Sequence, residues 1–580
     1  LNGTNVAMLV FLLYWFIVWR LDRKGILERY NISTYGPVLM IRTTRGLSFL
    51  DVLAKPKKAW RLYADIGIVL MFIGMIAMFL IVIISDIALL SSLGTNSMPE
   101  PSKFNEARNI FLIPGVNEFI PLTWGILALV VTLIVHEFAH AILCRVEGIR
   151  VKSMGILLAL VPIGGFAEPD EEELFGKVEE EHIKEDPYGD RRIGIYLDGE
   201  EPQKPKKPQS KADRKQRAHI LAAGVMANFV VALIALALLF GPVLGAMSPL
   251  GDSMVGEIDD NSPAYEAGIR EGMVITQLND KTINNVTEML NYLDTLEEGD
   301  TVRVYAATDR EVSEYSVQVT DTVIEKGGIV VQDIVPDSPA EENGIEKGMV
   351  ILSIDGEIVE DTTQFTAVMG TTIPGQNVNV TVSVPQENGD ELLKSMNVEL
   401  AQHPESETLI GYLGVYTQGR AFADTNLGFP IGGFPAKAYL ELLKSIPSML
   451  NEPSGWIIIL GLPIIGFAGE GFPGFSGTLG QFYDAIGWAE PFGIGLFWLA
   501  NALLWIGWLN FYVGLFNCLP AVPLDGGHVF RDYAYAAVHR ITKDETRAER
   551  LSATLAATFS VIILLSFLLM IFGPYLIHGF

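Results

Sequence analysis

Long apolar runs alternate with long polar stretches along the whole chain. The runs occupy Val6–Trp19, Ile66–Leu90, Pro121–Cys144, Ile220–Met247, Phe492–Phe516 and Leu551–Ile577. All but the first exceed the roughly 20 residues that an α-helix needs to cross a bilayer's hydrocarbon core. The first is short, but its basic flank follows it, which predicts an anchor and not a cleaved signal peptide. Trp456–Phe467 is apolar but broken by Gly461 and Pro463, so it predicts a re-entrant or interfacial helix. About six transmembrane helices are therefore expected. With 49% hydrophobic residues in 580, the pattern predicts a polytopic α-helical membrane protein carrying a soluble insert.

Lysine and arginine orient the spans. Arg20, Arg23, Lys24, Arg29, Arg42, Arg45 and Arg61 lie between the first two runs and place that segment in the cytoplasm. Counting onward, the Pro121–Cys144 span ends inside, Lys204–Arg217 falls inside, and so do Arg531, Arg540, Lys543 and Arg550. The expected location is the plasma membrane of a prokaryote. Acidity is concentrated elsewhere: Gly251–Pro404 holds 30 Asp and Glu against 7 Lys and Arg, hence 23 of the chain's 27 net negative charges. This insert falls on the extracytosolic side, where such a balance argues against nucleic acid and against adhesion to anionic lipid.

The insert repeats itself. Asn261-Ser-Pro-Ala-Tyr-Glu-Ala-Gly-Ile-Arg-Glu-Gly-Met-Val-Ile returns, 76 residues later, as Asp337-Ser-Pro-Ala-Glu-Glu-Asn-Gly-Ile-Glu-Lys-Gly-Met-Val-Ile. Each copy predicts a Ser-Pro helix start, a stop at Gly268 or Gly344, and an apolar strand such as Met349–Ile354 that turns at Asp355-Gly356. These residues resemble the bacterial type of PDZ domain. The resemblance implies a tandem α+β pair whose grooves could take peptide C-termini or extended segments as an added strand, with a rigid spacer as the plainer reading.

Chemistry is concentrated in His136-Glu137-Phe138-Ala139-His140. On a helix the two imidazoles are one turn apart on one face and can reach one Zn²⁺, while Glu137 sits beside them where it can hold a water. Between Leu133 and Leu143 these three are the only ionisable residues, in a span where each is costly. A fixed site with one open position needs another protein ligand. Glu147 and Glu168 are close in sequence but fit a polar turn and an acid-rich loop, both solvated. The better candidate is distant: Asp525, in Asn517-Cys-Leu-Pro-Ala-Val-Pro-Leu-Asp-Gly-Gly-His528 at the cytoplasmic end of the fifth span, stands at the same membrane depth as the HEFAH turn. There Pro520 and Pro523 forbid a regular helix on the approach, and Gly526 and Gly527 let the backbone turn tightly afterwards. Cys144 and Cys518 read as small buried apolar residues, and His182, His219, His403, His539 and His578 as ordinary surface histidines.

The HEFAH motif, Gly224-x-x-x-Asn228, the Asn517-x-x-Pro-x-x-Pro-Leu-Asp525-Gly element and the PDZ-like insert occur in an order that resembles the site-2 protease family of intramembrane zinc metalloproteases. The resemblance implies one Zn²⁺ per chain on His136, His140 and Asp525, Glu137 as general base, and transmembrane proteins as substrates. It implies substrate-binding roles for Asn228 and Asn517, with an interhelical hydrogen bond as the alternative for each, and a position outside the ligand set for His528. Met154–Glu168, with Gly164 and Gly165, resembles the membrane-inserted β-hairpin that these proteases place beside the active site. The expected domains are 1–120 (first helices and basic segment), 121–250 (first catalytic half), 251–326 and 327–404 (the PDZ pair), 405–490 (interfacial and re-entrant) and 491–580 (second catalytic half). Within 405–490, Ala436–Leu450 predicts an amphipathic helix on the outer membrane face that Pro447 kinks or ends. The rival classes are a catalytically silent PDZ scaffold, which does not need both Glu137 and Asp525, and a zinc transporter, which predicts a repeat between membrane halves.

Overall fold

The computed structural model describes residues 3–579 apart from 44–46, 96–100, 111–112, 160, 171–172, 175–211, 260–261, 309, 321–327, 337, 360–361, 386–390, 403–409, 420–422, 466–471 and 473. His182, His403 and most of the basic stretch Lys204–Arg217 lie outside the described residues. Two compact units result: Leu1–Leu239 with Trp456–Gly474 and Leu499–Phe580, and Phe240–Gly455 with Phe475–Trp498.

The first unit is mainly helical. Its elements in chain order are helix α1 (Gly3–Arg23), strands β1 (Ile32–Tyr35) and β2 (Val38–Thr43), helices α2 (Lys57–Thr95) and α3 (Leu122–Glu147), strands β3 (Val151–Ala159) and β4 (Val161–Pro169), and helices α4 (Arg214–Leu238), α5 (Pro453–Ile465), α6 (Ile494–Cys518), α7 (Asp525–Thr542) and α8 (Glu545–His578). Among the described residues, five helices are long and apolar enough to cross a membrane: those built on α2, α3, α4, α6 and α8. The first apolar run also forms a helix, the 21-residue α1. The broken run forms the 13-residue α5, which continues through Pro463. Buried Ala139, Ala141, Ala223 and Ala227 lie in one core with Ile142, Cys144 and Ile220. Side chains this small let α3 and α4 pack backbone to backbone, the usual basis of close helix packing in lipid. Cys144 and Cys518 are both free and buried.

The expected hairpin Met154–Glu168 is present as β3 and β4, but it is half of a larger sheet. The order is β1-β2-β3-β4, with Leu39 opposite Leu158 and Ile41 opposite Ile156. The basic segment 20–61 thus contains a hairpin that sequence reading did not anticipate. Gly155 makes the pairing possible, because a Cβ there would stand 2.5 Å from Phe166 and against the Ile41 carbonyl. β4 is left as one edge of the sheet.

Beside two small two-stranded sheets, the second unit holds two large antiparallel sheets with short helices. In each, the predicted Ser-Pro start is realised: the hydroxyls of Ser262 and Ser338 accept from the backbone N–H of Tyr265 and Glu341. Gly268, at φ 100°, ends the first of these helices. Asp355 and Gly356 have φ of 50° and 82°, the left-handed pair that a two-residue hairpin turn demands. The expected boundary at residue 404 needs correction. Pro430–Gly433 pairs with Ser253–Val255 in the first sheet, and Val415–Gly419 pairs with Ile329–Ile334 in the second. Each sheet is completed by a strand that comes after both repeats, because the free strand edge and the apolar face of each repeat still need a partner. The helix Ala436–Met449 is also formed, burying Ala436, Leu440, Leu443 and Ile446, and it runs two residues past Pro447 before it ends. Proline there removes one N–H near the helix end, and its ring is exposed.

Ile431 lies fully buried in the core of the first sheet, with Val255, Ile275 and Val304. Ile431→Ala is expected to destabilise that sheet by about 2–5 kcal/mol. The measurement is loss of hydrogen-exchange protection along Val274–Leu278.

Candidate metal centre

α3 delivers His136 and His140 to one face, and their rings meet edge to face with centroids 4.6 Å apart. The two Nε2 atoms are 3.0 Å apart, and Asp525 Oδ2 lies 3.2 Å from one and 3.3 Å from the other. Among the described residues these three form the group able to hold a metal ion, each giving one ligand atom. Glu147 and Glu168 do not join them.

The other ring nitrogens define the proton inventory. His140 Nδ1 lies 2.7 Å from the Ile220 carbonyl, which can only accept, so Nδ1 carries the proton and Nε2 a lone pair. His136 Nδ1 faces the carboxamide of the fully buried Asn228, 3.1 Å away, whose Oδ1 otherwise has no partner. A half-turn of that carboxamide lets Oδ1 accept from Nδ1–H and frees the His136 Nε2 lone pair as well. Asp525 Oδ2 is also buried without a hydrogen-bond partner. Three electron-rich atoms then converge with no proton between them, and a cation is the group that fits there.

Glycines make the approach possible. A Cβ on Gly224 would stand 2.5 Å from His140 Nε2 and 2.8 Å from His136 Cε1, which is why the Gly-x-x-x-Asn pattern carries glycine four residues before Asn228. Gly165 of β4 lies where a Cβ would be 2.7 Å from Glu137 Cγ. The edge strand therefore passes directly beside Glu137, and the N–H of Ala167 donates to Glu137 Oε2 at 2.7 Å. Oε1 of Glu137 has no hydrogen-bond partner among the described residues. Gly164 is in the same strand. Gly526 and Gly527 differ from expectation: they form the first turn of α7, which starts at Asp525, and do not make a tight loop after it. Without side chains they let the helix start lie against the preceding segment, where a Cβ would be 2.7 Å from the Asn517 carbonyl oxygen or 2.6 Å from Val522 N.

Asn228 is thus placed against a histidine, as the interhelical alternative expects. Asn517, at the end of α6, is partly exposed with no side-chain partner among the described residues. His528 follows Asp525 by one turn and lies outside the metal-holding group. Two residues read from sequence as solvated are not. Glu147 has a side chain only 2% exposed, and His219, 5% exposed, sits between Glu147 Oε1 at 3.2 Å and Asp65 Oδ1 at 3.0 Å. Asp532, which Arg214 and Arg217 bind, is a further buried carboxylate that no sequence motif marks. The available signal was spacing: Glu147 and Asp532 each follow a metal-facing residue by two helical turns.

A helical membrane unit with such a centre on apolar helices defines a membrane-embedded metallohydrolase, and similarity to known proteins narrows the class. The model of peptidase family M50 matches residues 124–422 and 490–565. The chain is 23% identical over 443 residues to the regulator of sigma-E protease RseP of Escherichia coli, covering 70% of this chain and 88% of that protein. It is 27% identical over 319 residues to an uncharacterized protein of Methanocaldococcus jannaschii, covering 55% and 71%. It is also 26% identical over 197 residues to the zinc metalloprotease RasP of Oceanobacillus iheyensis, covering 34% and 41%. The chain belongs to peptidase family M50, the site-2 proteases: it is a zinc metalloprotease and an integral membrane protein.

Gly224→Ala is expected to lower the zinc content of the purified protein at least about tenfold, because the added methyl displaces both imidazoles. Metal analysis beside a circular dichroism spectrum checks that the ion is lost and the helices are kept.

Proposed function

We propose that this protein hydrolyses peptide bonds within or near the transmembrane segments of other membrane proteins, as an enzyme of regulated intramembrane proteolysis. His136, His140 and Asp525 hold one zinc ion, and Glu137 is the general base. The observation that carries the reading is the convergence of two imidazole lone pairs and a buried carboxylate oxygen within about hydrogen-bond distance, with no proton to share.

When bound, zinc supplies the Lewis acidity that makes a water easier to deprotonate and a peptide carbonyl easier to attack. Glu137 keeps Oε2 on the Ala167 N–H, so its carboxylate is held in one orientation while Oε1 takes the proton from the water. The same oxygen returns that proton to the departing amine, and no side chain needs to act as nucleophile. Asn228 and the Ile220 carbonyl fix the ring orientations of His136 and His140. A substrate helix must open locally, because its carbonyls are already hydrogen-bonded and shielded. β4 offers the opened segment a strand edge, and Gly164 and Gly165 offer it no side chain to clash with. Asn517, partly exposed at the end of α6, is available to bind the opened backbone.

Six transmembrane helices, α1 included, agree with the basic residues that collect at one end of the first unit, Arg61, Arg214, Arg217 and Arg531 among them. We read that end as cytoplasmic from its excess of arginine and lysine; on that reading the centre lies in the cytoplasmic half of the membrane, which we take to be a prokaryotic plasma membrane, and the acidic insert is extracytosolic. We read the two sheets with their Ser-capped helices as PDZ domains, able to bind peptide C-termini or extended segments of a substrate.

Cleavage of a single-span reporter by the purified protein is expected to fall by about 10²–10⁴-fold in Glu137→Gln with zinc retained. Asp525→Ala is expected to lose the zinc itself. Chelation should abolish parent activity and added zinc restore it; undiminished cleavage by Glu137→Gln would remove Glu137 as the base.

A further inference from the structure

Two buried carboxylates occupy equivalent places relative to the metal centre. On α3, Glu147 follows His140 by seven residues; on α7, Asp532 follows Asp525 by seven. Seven residues are two helical turns, about 10 Å along the axis on the same face. Both carboxylates are gripped by the first two turns of one helix, α4. Gln216 Nε2 donates to Glu147 Oε2 at 3.2 Å, and His219 lies 3.2 Å from Glu147 Oε1. Arg217 holds Asp532 through two hydrogen bonds, Nη2 to Oδ1 at 2.8 Å and Nε to Oδ2 at 3.1 Å, and Arg214 Nη1 adds a third at 2.8 Å. Arg61 of α2 closes on Glu147 with 2.9 and 3.0 Å contacts, while Glu549 of α8 joins Arg214 to Arg531 at 2.8 Å each.

These links differ from surface pairs in their burial. The side chains of Arg217 and Asp532 are each 11% exposed, and that of Glu147 is 2% exposed. Charges so placed hold a defined geometry, because leaving either one without its partner is strongly unfavourable. The same helix continues to the centre: Ile220, next to His219, gives its carbonyl to His140; Gly224 takes the two rings against its backbone; Asn228 meets His136.

We infer that the segment Arg214–His219 is a clamp that fixes α3 and α7 to α4, and that Glu147 and Asp532 are positioning residues that hold the two imidazoles and the distant aspartate at ligand separation. His136 and His140 share a helix, so their mutual distance needs no such device. Asp525 reaches them from a different helix nearly four hundred residues later, about 390, and its place depends on how α7 docks on α4. The clamp sets that docking two turns away from the ion and touches neither substrate nor metal.

The inference rests on the ligand set proposed above, and the test keeps the two apart. In purified full-length protein, zinc affinity is measured by competition with a chelator, and geometry by the visible spectrum of the cobalt(II)-loaded form. Asp532→Asn and Glu147→Gln keep side-chain volume and remove charge; each is expected to weaken zinc binding by about 10–100-fold and to alter the cobalt spectrum. The charge exchange Arg217→Asp with Asp532→Arg is expected to recover part of the loss. Val82→Ala, buried in α2 and 21 residues, about six turns, beyond Arg61, supplies a variant that destabilises the same unit away from the clamp and the ligands; its affinity and spectrum should stay with the parent. Parent-like affinity and spectra in both charge-neutral variants would overturn the clamp, as would losses no larger than those of Val82→Ala. If either variant does not accumulate, Arg217→Met is read by the same two measurements. Asp525→Ala tests the ligand set separately: retained zinc affinity there sinks the ligand reading, whereas its loss together with unaffected Asp532→Asn and Glu147→Gln sinks the clamp alone.

Discussion

Everything in the membrane unit depends on holding three electron-rich atoms, two imidazole nitrogens and a carboxylate oxygen, close together in an apolar interior. Without a cation the arrangement is unfavourable twice over, since the charge is desolvated and the lone pairs repel. It persists only because the surrounding helices leave the atoms nowhere else to go. Asn228 and the Ile220 carbonyl take the other ring nitrogens, and the chain before Asp525 is packed against the first turn of α7. A metal binds most tightly to a site whose reorganisation has already been done by the fold.

Close approach is the recurring structural device. Gly224 against the imidazoles, Gly165 against Glu137 and Gly526 against the end of α6 are places where one methyl group would force atoms apart. Alanines in the α3–α4 core act in the same direction. The bilayer supplies no hydrophobic drive for helices to associate, so such contacts, together with hydrogen bonds and ion pairs, have to provide it. This accounts for dense polar networks at one end of an otherwise apolar helix bundle, where Arg214, Arg217, Glu147 and Asp532 are found. Glu137 lies beside a strand edge, whose backbone N–H and C=O groups can pair with an extended segment whatever its side chains.

Much of this was legible in the sequence. Each apolar run appears as a helix, although Ile66–Leu90 becomes the longer Lys57–Thr95 and Ile220–Met247 shifts to Arg214–Leu238, and the Ser-Pro starts and the Asp355-Gly356 turn appear where the repeat placed them. Errors have a common origin. Glu147 and His219 look like solvated polar residues beside a loop, but the groups that bury them, Arg61, Asp65 and Gln216, come from other helices. The hairpin Ile32–Thr43 was hidden within a basic stretch, because its partner β3 follows more than a hundred residues later, about 110. Strands 415–419 and 430–433 complete sheets whose other members precede them, so a boundary drawn from the repeat alone fell too early.

The sequence by itself determined the membrane spans, the acidic repeat and the shared face of His136 and His140, because each follows from a period or a charge pattern within a few turns of chain. It preferred Asp525 to Glu147 and Glu168 on membrane depth, and resemblance to a family then singled that residue out as the ligand. Which carboxylate meets the imidazoles, which glycines admit them and which buried ion pairs hold α3 and α7 on α4 were decided by the tertiary structure. Those contacts join residues from separate helices, and their distances depend on how whole elements dock, a quantity that no local periodicity encodes.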